Sequence, residues 1–137
     1  MQDNIKDILS RQEVSDAEIS VAHILISFRG TGTDATRSQE EAETLATEVF
    51  AKVKAGEDFD ALAQEYSDDK QGGIAGGPYG MFMPSRGSTG GDGMYPRSGM
   101  VPAFGNVGWK LAVGDVGVAA YDRAASPYGW HIIKRVS

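Results

Sequence analysis

The chain has no cysteine. That excludes disulfide staples, thiolate metal sites and a cysteine nucleophile, and it leaves the redox compartment open. Histidine is scarce: only His23 and His131 are present. Two imidazoles and no thiols are too few ligands for a structural zinc site. Positive charge is in deficit, with 13 Lys and Arg against 19 Asp and Glu, a net charge of -6 and no basic cluster. Nucleic acid and anionic membranes are therefore not expected as main partners. No apolar run approaches the roughly 20 residues of a membrane span, and no leader pattern opens the chain. Met1 reads equally as a native start or as the start of a trimmed chain. Asp92 and Asp115 sit in Gly-rich turns, but no Asp-x-Asp-x-Asp-Gly loop with a closing Glu surrounds them, which argues against Ca²⁺. The Gly-rich stretches do not follow a strand and open a helix, so a phosphate cradle is not expected either.

What is present reads as one domain of 137 residues, long enough to bury a core. Residues 1–18 are polar with Ile5, Ile8 and Leu9 at helical spacing. They read as a short helix or, because short isolated helices are marginal, as an N-terminal linker. Residues 19–28 are a strand with apolar residues on both faces, the mark of a central, doubly covered strand. Ser38 and Glu41 form a capping box, and Ala42, Leu45, Ala46, Val49, Phe50 and Val53 make one helical stripe ended at Gly56. Asp58 opens a second short helix with Phe59, Leu62, Ala63 and Tyr66 inward, ending at Ser67-Asp68-Asp69.

Residues 72–80 hold five glycines and a proline, which interrupts regular structure. Tyr79–Phe82 reads as a short strand. The Gly-rich stretch 83–99 reads as a long loop, of the kind that is usually a lid or disordered. Beyond Met83 at its start, Met94 and Tyr95 are its large apolar members. Phe104, Val107 and Leu111 keep helical spacing after Pro102. Val116–Tyr121 and the stretch from Trp130 to Val136 read as strands. The order β, α, α, short β, α, β, β predicts an α+β domain with helices packed on a small, mostly antiparallel sheet.

The two histidines organise the rest. Period two puts His131 on one face with Ile133 and Arg135, and His23 on one face with Val21 and Leu25. Two apolar strands from opposite ends of the chain, each with a histidine, predict neighbours in one sheet with a site between them. Alone, a strand histidine is more often a satisfied core residue, Asp69 a helix-end carboxylate, and Met100 and Phe104 plain core.

Four strings in order change that balance: Ala22-His23-Ile24-Leu25-Ile26, Gly56 to Asp68 (Gly-Glu-Asp-Phe-Asp-Ala-Leu-Ala-Gln-Glu-Tyr-Ser-Asp), Met100-Val101-Pro102-Ala103-Phe104 and Gly129-Trp130-His131-Ile132-Ile133. Together they resemble the parvulin family of peptidyl-prolyl cis-trans isomerases over about residues 19 to 136. The resemblance implies a four-stranded sheet surrounded by helices, with residues 19–137 as the isomerase domain and a shallow proline site on the concave face. It implies rotation about X-Pro bonds in unfolded or flexible chains, with no metal or cofactor. The alternative is a non-catalytic peptide-binding or chaperone module on the same fold. By resemblance, His23 and His131 are the paired core histidines, bonded to each other or through a hydroxyl. Asp69 lies beside the reacting amide. Met100 and Phe104 floor the proline pocket, with Tyr79 where many members have Leu. Tyr128 falls at a variable position by the substrate, and Ser126 is the candidate tying hydroxyl. The loop after the first strand has Arg29 and Arg37 but not the tight basic cluster that phosphate recognition needs, so phospho-specificity is not expected. The resemblance also implies a bacterial protein, extracytoplasmic (periplasmic) rather than cytoplasmic, that can sit within a longer multidomain chain.

Overall fold

A computed structural model describes residues 1–70 and 78–137. The predicted interruption at 72–80 lies outside them up to residue 77. The elements are α1 (Gln2–Ser10), β1 (Glu18–Ile26), α2 (Gln39–Lys54), α3 (Phe59–Tyr66), β2 (Tyr79–Phe82), β3 (Tyr95–Pro96), α4 (Pro102–Gly108), β4 (Val116–Ala119) and β5 (Trp130–Arg135). They form one α+β domain, with a sheet of order β3-β2-β1-β5-β4 among the described residues. The sheet has five strands rather than four. The added strand, β3, is a two-residue edge that runs parallel to β2, pairing Met81 with Tyr95 and Phe82 with Pro96. The other pairings are antiparallel. Nothing in the 83–99 composition signals a strand this short, and Pro96 fits only because an edge needs no further donor on its outer side.

The capping box of α2 is present in full: the Ser38 hydroxyl accepts from Glu41 N, and Glu41 accepts from Ser38 N. Asp58 is the N-cap of α3 by position, but its side chain makes no cap bond. β1 is buried on both faces, for the reason its pattern suggests. Ala22, Ile24 and Ile26 face α2 and α3, against Ala46, Val49 and Leu62. Val21 faces the other side with Met81, Phe104, Val107 and Ile133, where α4 packs.

The opening stretch is helix rather than frayed chain, and its anchors come from distant residues. Asn4 Nδ2 donates to Val116 O (3.1 Å) and Asn4 Oδ1 accepts from Val118 N (2.9 Å). One side-chain amide thus pairs with the outer edge of β4 as a strand would, covering an edge that is otherwise open to association. Ile8 is buried against Gly117, where any Cβ would meet both Ile8 and Val107.

Candidate active site

Adjacent antiparallel strands bring the histidines together: His23 pairs with Ile133, and Leu25 with His131. The two imidazoles therefore lie diagonally on one face, with ring centroids 5.7 Å apart and tilted by 43°. Both are fully or almost fully buried.

β2 pairs with β1 only over Glu18–Val21. Beyond that point the turn after α3 takes the place of a strand. Asp68 N donates to Leu25 O (2.8 Å), Leu25 N donates to Ser67 Oγ (3.1 Å), and Ser27 N donates to Asp68 Oδ2 (2.8 Å). Docked this way, the Ser67-Asp68-Asp69 string satisfies buried strand backbone and leaves Asp69 beside the histidines. His23 Nε2 lies 2.9 Å from Asp69 Oδ2, and the Tyr79 hydroxyl donates to the same oxygen at 3.2 Å. A carboxylate has no proton to give, so His23 is the donor from Nε2. Burial, the charge of Asp69, the bond to Asp69 and nearby Tyr95 push the Tyr79 hydroxyl up to about 12. Tyr79 therefore stays a donor at neutral pH.

Phe104 closes the group. Its ring meets His23 at 4.9 Å, His131 at 5.0 Å and Tyr79 at 5.8 Å, each edge to face. Burial pushes the His131 imidazole down to about 3; His23 adds to the effect and Asp69 opposes it. His131 is thus neutral at pH 7.

A cavity of about 470 Å³ opens over these residues. Asp69, Tyr79, Met100, Phe104, Tyr128 and His131 line it. His23 lies beneath, fully buried, and touches the cavity wall from behind through Asp69 and the Tyr79, Phe104 and His131 rings. Ser126 is not at the cavity wall. Its hydroxyl donates to Gly129 O at 2.7 Å, so it ties the turn and not the histidines. The expected histidine bond is also missing: Nδ1 of His23 and both ring nitrogens of His131 have no hydrogen-bond partner among the described residues. The diagonal register sets the rings side by side, and the turn takes the hydroxyl. Ser126→Ala is expected to cost about 1–2 kcal/mol in urea unfolding, by stranding a buried carbonyl, with less than a twofold change in activity. A larger loss of activity than of stability would restore Ser126 to the site.

Two residues escaped the sequence reading. Asp68 ends a helix and the second of the four family-like strings, and neither marks it for the site, yet its Oδ2 accepts from Ser27 N and from Arg37 Nη1 at 2.6 Å. Tyr95 lines the cavity from β3. Its one sequence signal was being a large aromatic in a stretch otherwise rich in Gly, Ser and Pro.

A mixed sheet with helices on both faces, and a shallow apolar cavity holding a carboxylate above buried histidines, define a peptide-groove domain of the rotamase class. The chain belongs to the PPIC-type peptidyl-prolyl cis-trans isomerase domain family, the parvulin rotamases, whose model matches residues 4–136. It is 35% identical over 117 residues to the chaperone SurA of Chromohalobacter salexigens, covering 85% of this chain and 22% of that protein. It is 33% identical to the foldase protein PrsA of Bacillus subtilis, covering 98% of this chain and 37% of the relative. The chain thus spans well under half the length of these relatives. Among solved structures, TbPIN1 shares the fold at a TM-score of 0.62 and 22% identity, covering 89% of this chain and 99% of its own. The peptidyl-prolyl isomerase ESS1 of Candida albicans does so at 0.62 and 19%, covering 99% of this chain and 72% of its own. Among the described residues no helix is long and apolar enough to cross a membrane.

Proposed function

We propose that this domain rotates X-Pro bonds in unfolded or flexible polypeptides, as a folding helper. The observation that carries the reading is a single carboxylate oxygen, Asp69 Oδ2, held by two donors at the wall of a cavity floored by Met100 and Phe104. The barrier to rotation is about 18–20 kcal/mol, and each tenfold acceleration needs about 1.4 kcal/mol of preferential transition-state binding. Twisting the amide removes resonance, so charge leaves the carbonyl oxygen and the bond becomes less polar. An apolar floor that grips the proline ring excludes water and favours that less polar state. A fixed carboxylate near the carbonyl disfavours the planar, charge-separated amide more than the twisted one. In this role Asp69 acts on the substrate, while His23 and Tyr79 orient it. No bond to the protein forms, and the reaction calls for no metal or cofactor.

The client is an ordinary X-Pro segment rather than a phosphorylated one. Among the described residues no Lys or Arg lines the cavity, and Arg37 is spent on Asp68 and the Ser27 carbonyl. The relatives named chaperone and foldase support the helper role and a bacterial source, and their greater length supports a longer parent chain; an extracytoplasmic site of action belongs to the same proposal. Fractionation of cells that express the parent protein tests the last of these.

The direct test is cis-trans exchange of short Ala-X-Pro-Phe peptides. The wild-type domain is expected to accelerate it, and Asp69→Ala to lower kcat/KM at least about tenfold. Peptide binding without acceleration would make the domain a non-catalytic peptide-binding module.

A further inference from the structure

We propose that Tyr95, carried to the cavity by the 83–99 segment, builds a second subsite that selects a bulky apolar side chain next to the proline. The inference rests on the prolyl-isomerase reading of the same cavity and assigns part of its specificity.

The 83–99 segment is tethered along its length. Met83 N donates to Ala17 O at 2.8 Å, Arg86 Nη1 to Val14 O at 2.6 Å, and Ser88 Oγ to Glu18 Oε2 at 2.6 Å. Arg97 forks onto both carboxylate oxygens of Glu13 (2.8 and 2.7 Å) and lies over the Trp109 ring. Two glycines make room for the close approach. Met94 packs over Gly80, where a Cβ would come within 3.2 Å of its Cγ, and Gly90, at φ +73°, lies against the Phe82 ring. So placed, the segment pairs with β2 through backbone and presents Tyr95 at a set position.

Tyr79 joins Tyr95 to the proline floor. Its ring meets both Phe104, at 5.8 Å, and Tyr95, at 6.1 Å. The proline floor and the Tyr95 face are therefore neighbouring compartments of one cavity. Tyr95 remains 47% exposed, and Tyr128, also at this cavity, 42%. These are the two exposed aromatic side chains among the described residues, and both border one concavity. Scattered exposed apolar residues mean little, but aromatic rings gathered at a cavity mark a contact surface. The charged groups of the lining are carboxylates, Asp69 and the Arg37-paired Asp68. An acidic neighbour of the proline is thus repelled, and an apolar one is received on the Tyr95 ring.

The test is a panel of short peptides with Leu, Ala or Glu placed first before and then after the proline, against wild type, Tyr95→Ala and Tyr95→Phe. Dissociation constants come from NMR titration, and kcat/KM from exchange spectroscopy. Leu is expected to bind about tenfold tighter than Ala at one flank, with Glu weaker than Ala. Tyr95→Ala brings the Leu-to-Ala ratio below about two, and Tyr95→Phe keeps it. Contacts between the Leu methyls and the Tyr95 ring are expected in the wild-type complex, which needs no variant. A ratio near one at both flanks, a ratio untouched by Tyr95→Ala, or absence of those contacts overturns the proposal. Binding with the expected ratio but no acceleration would sink the isomerase reading and leave the subsite standing.

Discussion

Acidification from pH 7 to pH 4 is expected to remove about 3 kcal/mol of stability through His131 alone, and His131→Leu to remove that part of the pH dependence. The unfolded imidazole has its ordinary pKa of 6.5, and burial beside His23 lowers the folded one to about 3. Between these values the unfolded chain binds the proton and the folded chain does not. Stability therefore rises with pH across that window and falls as the pH drops through it. The full contribution, about 5 kcal/mol, is lost only once the pH has fallen below the folded value. The cause is local: a ring with two percent exposure must take a charge beneath Phe104 and next to another imidazole. Urea unfolding at pH 7, 5 and 4 measures the effect. Parallel pH slopes for wild type and His131→Leu would show that His131 is not the group responsible, since the carboxylates common to both would then account for the acid sensitivity.

Phe104→Ala is expected to cost about 3–5 kcal/mol of stability and at least about tenfold in kcat/KM. The ring is 5% exposed and is shared between two jobs. Its inner side packs with Val107, Trp109 and Ile133 in the core that joins α4 to the sheet. Its edge touches His23, His131 and Tyr79, and it lines the cavity. Truncation leaves a void that rigid strand neighbours close only in part. It also removes the apolar surface on which a proline ring would lie. Phe104→Leu separates the two jobs: most stability should return, while the flat floor does not. Recovery of full activity in Phe104→Leu would show that only bulk is needed there. Comparison with Asp69→Ala, which should lower turnover with a smaller effect on core stability, tells floor from carboxylate.

Much of the architecture was legible because it rests on short-range rules. The α2 capping box, the two-faced β1, the strand at Tyr79–Phe82 and the pairing of the histidine strands all follow from period, cap chemistry and burial. The linker alternative for residues 1–18 arose because α1 has no strong local signal. Its stability comes from Asn4 on β4 and Ile8 under Gly117, partners more than a hundred residues away. The fifth strand was illegible for a similar reason. Two residues of β3 carry no period, and their pairing depends on tethers to Val14, Ala17, Glu18 and Glu13.

The sequence by itself determined the α+β class, the neighbouring histidine strands and the absence of thiol chemistry. These depend on residue type and on repeats of two and 3.6, which every stretch carries within itself. Only the tertiary structure decided what each polar atom does: that Asp69 Oδ2 takes both His23 and Tyr79, that Ser126 serves Gly129 instead of a histidine, and that Tyr95 reaches the cavity at all. Those assignments turn on distances of about 3 Å between groups far apart in the chain, and no local pattern encodes such distances.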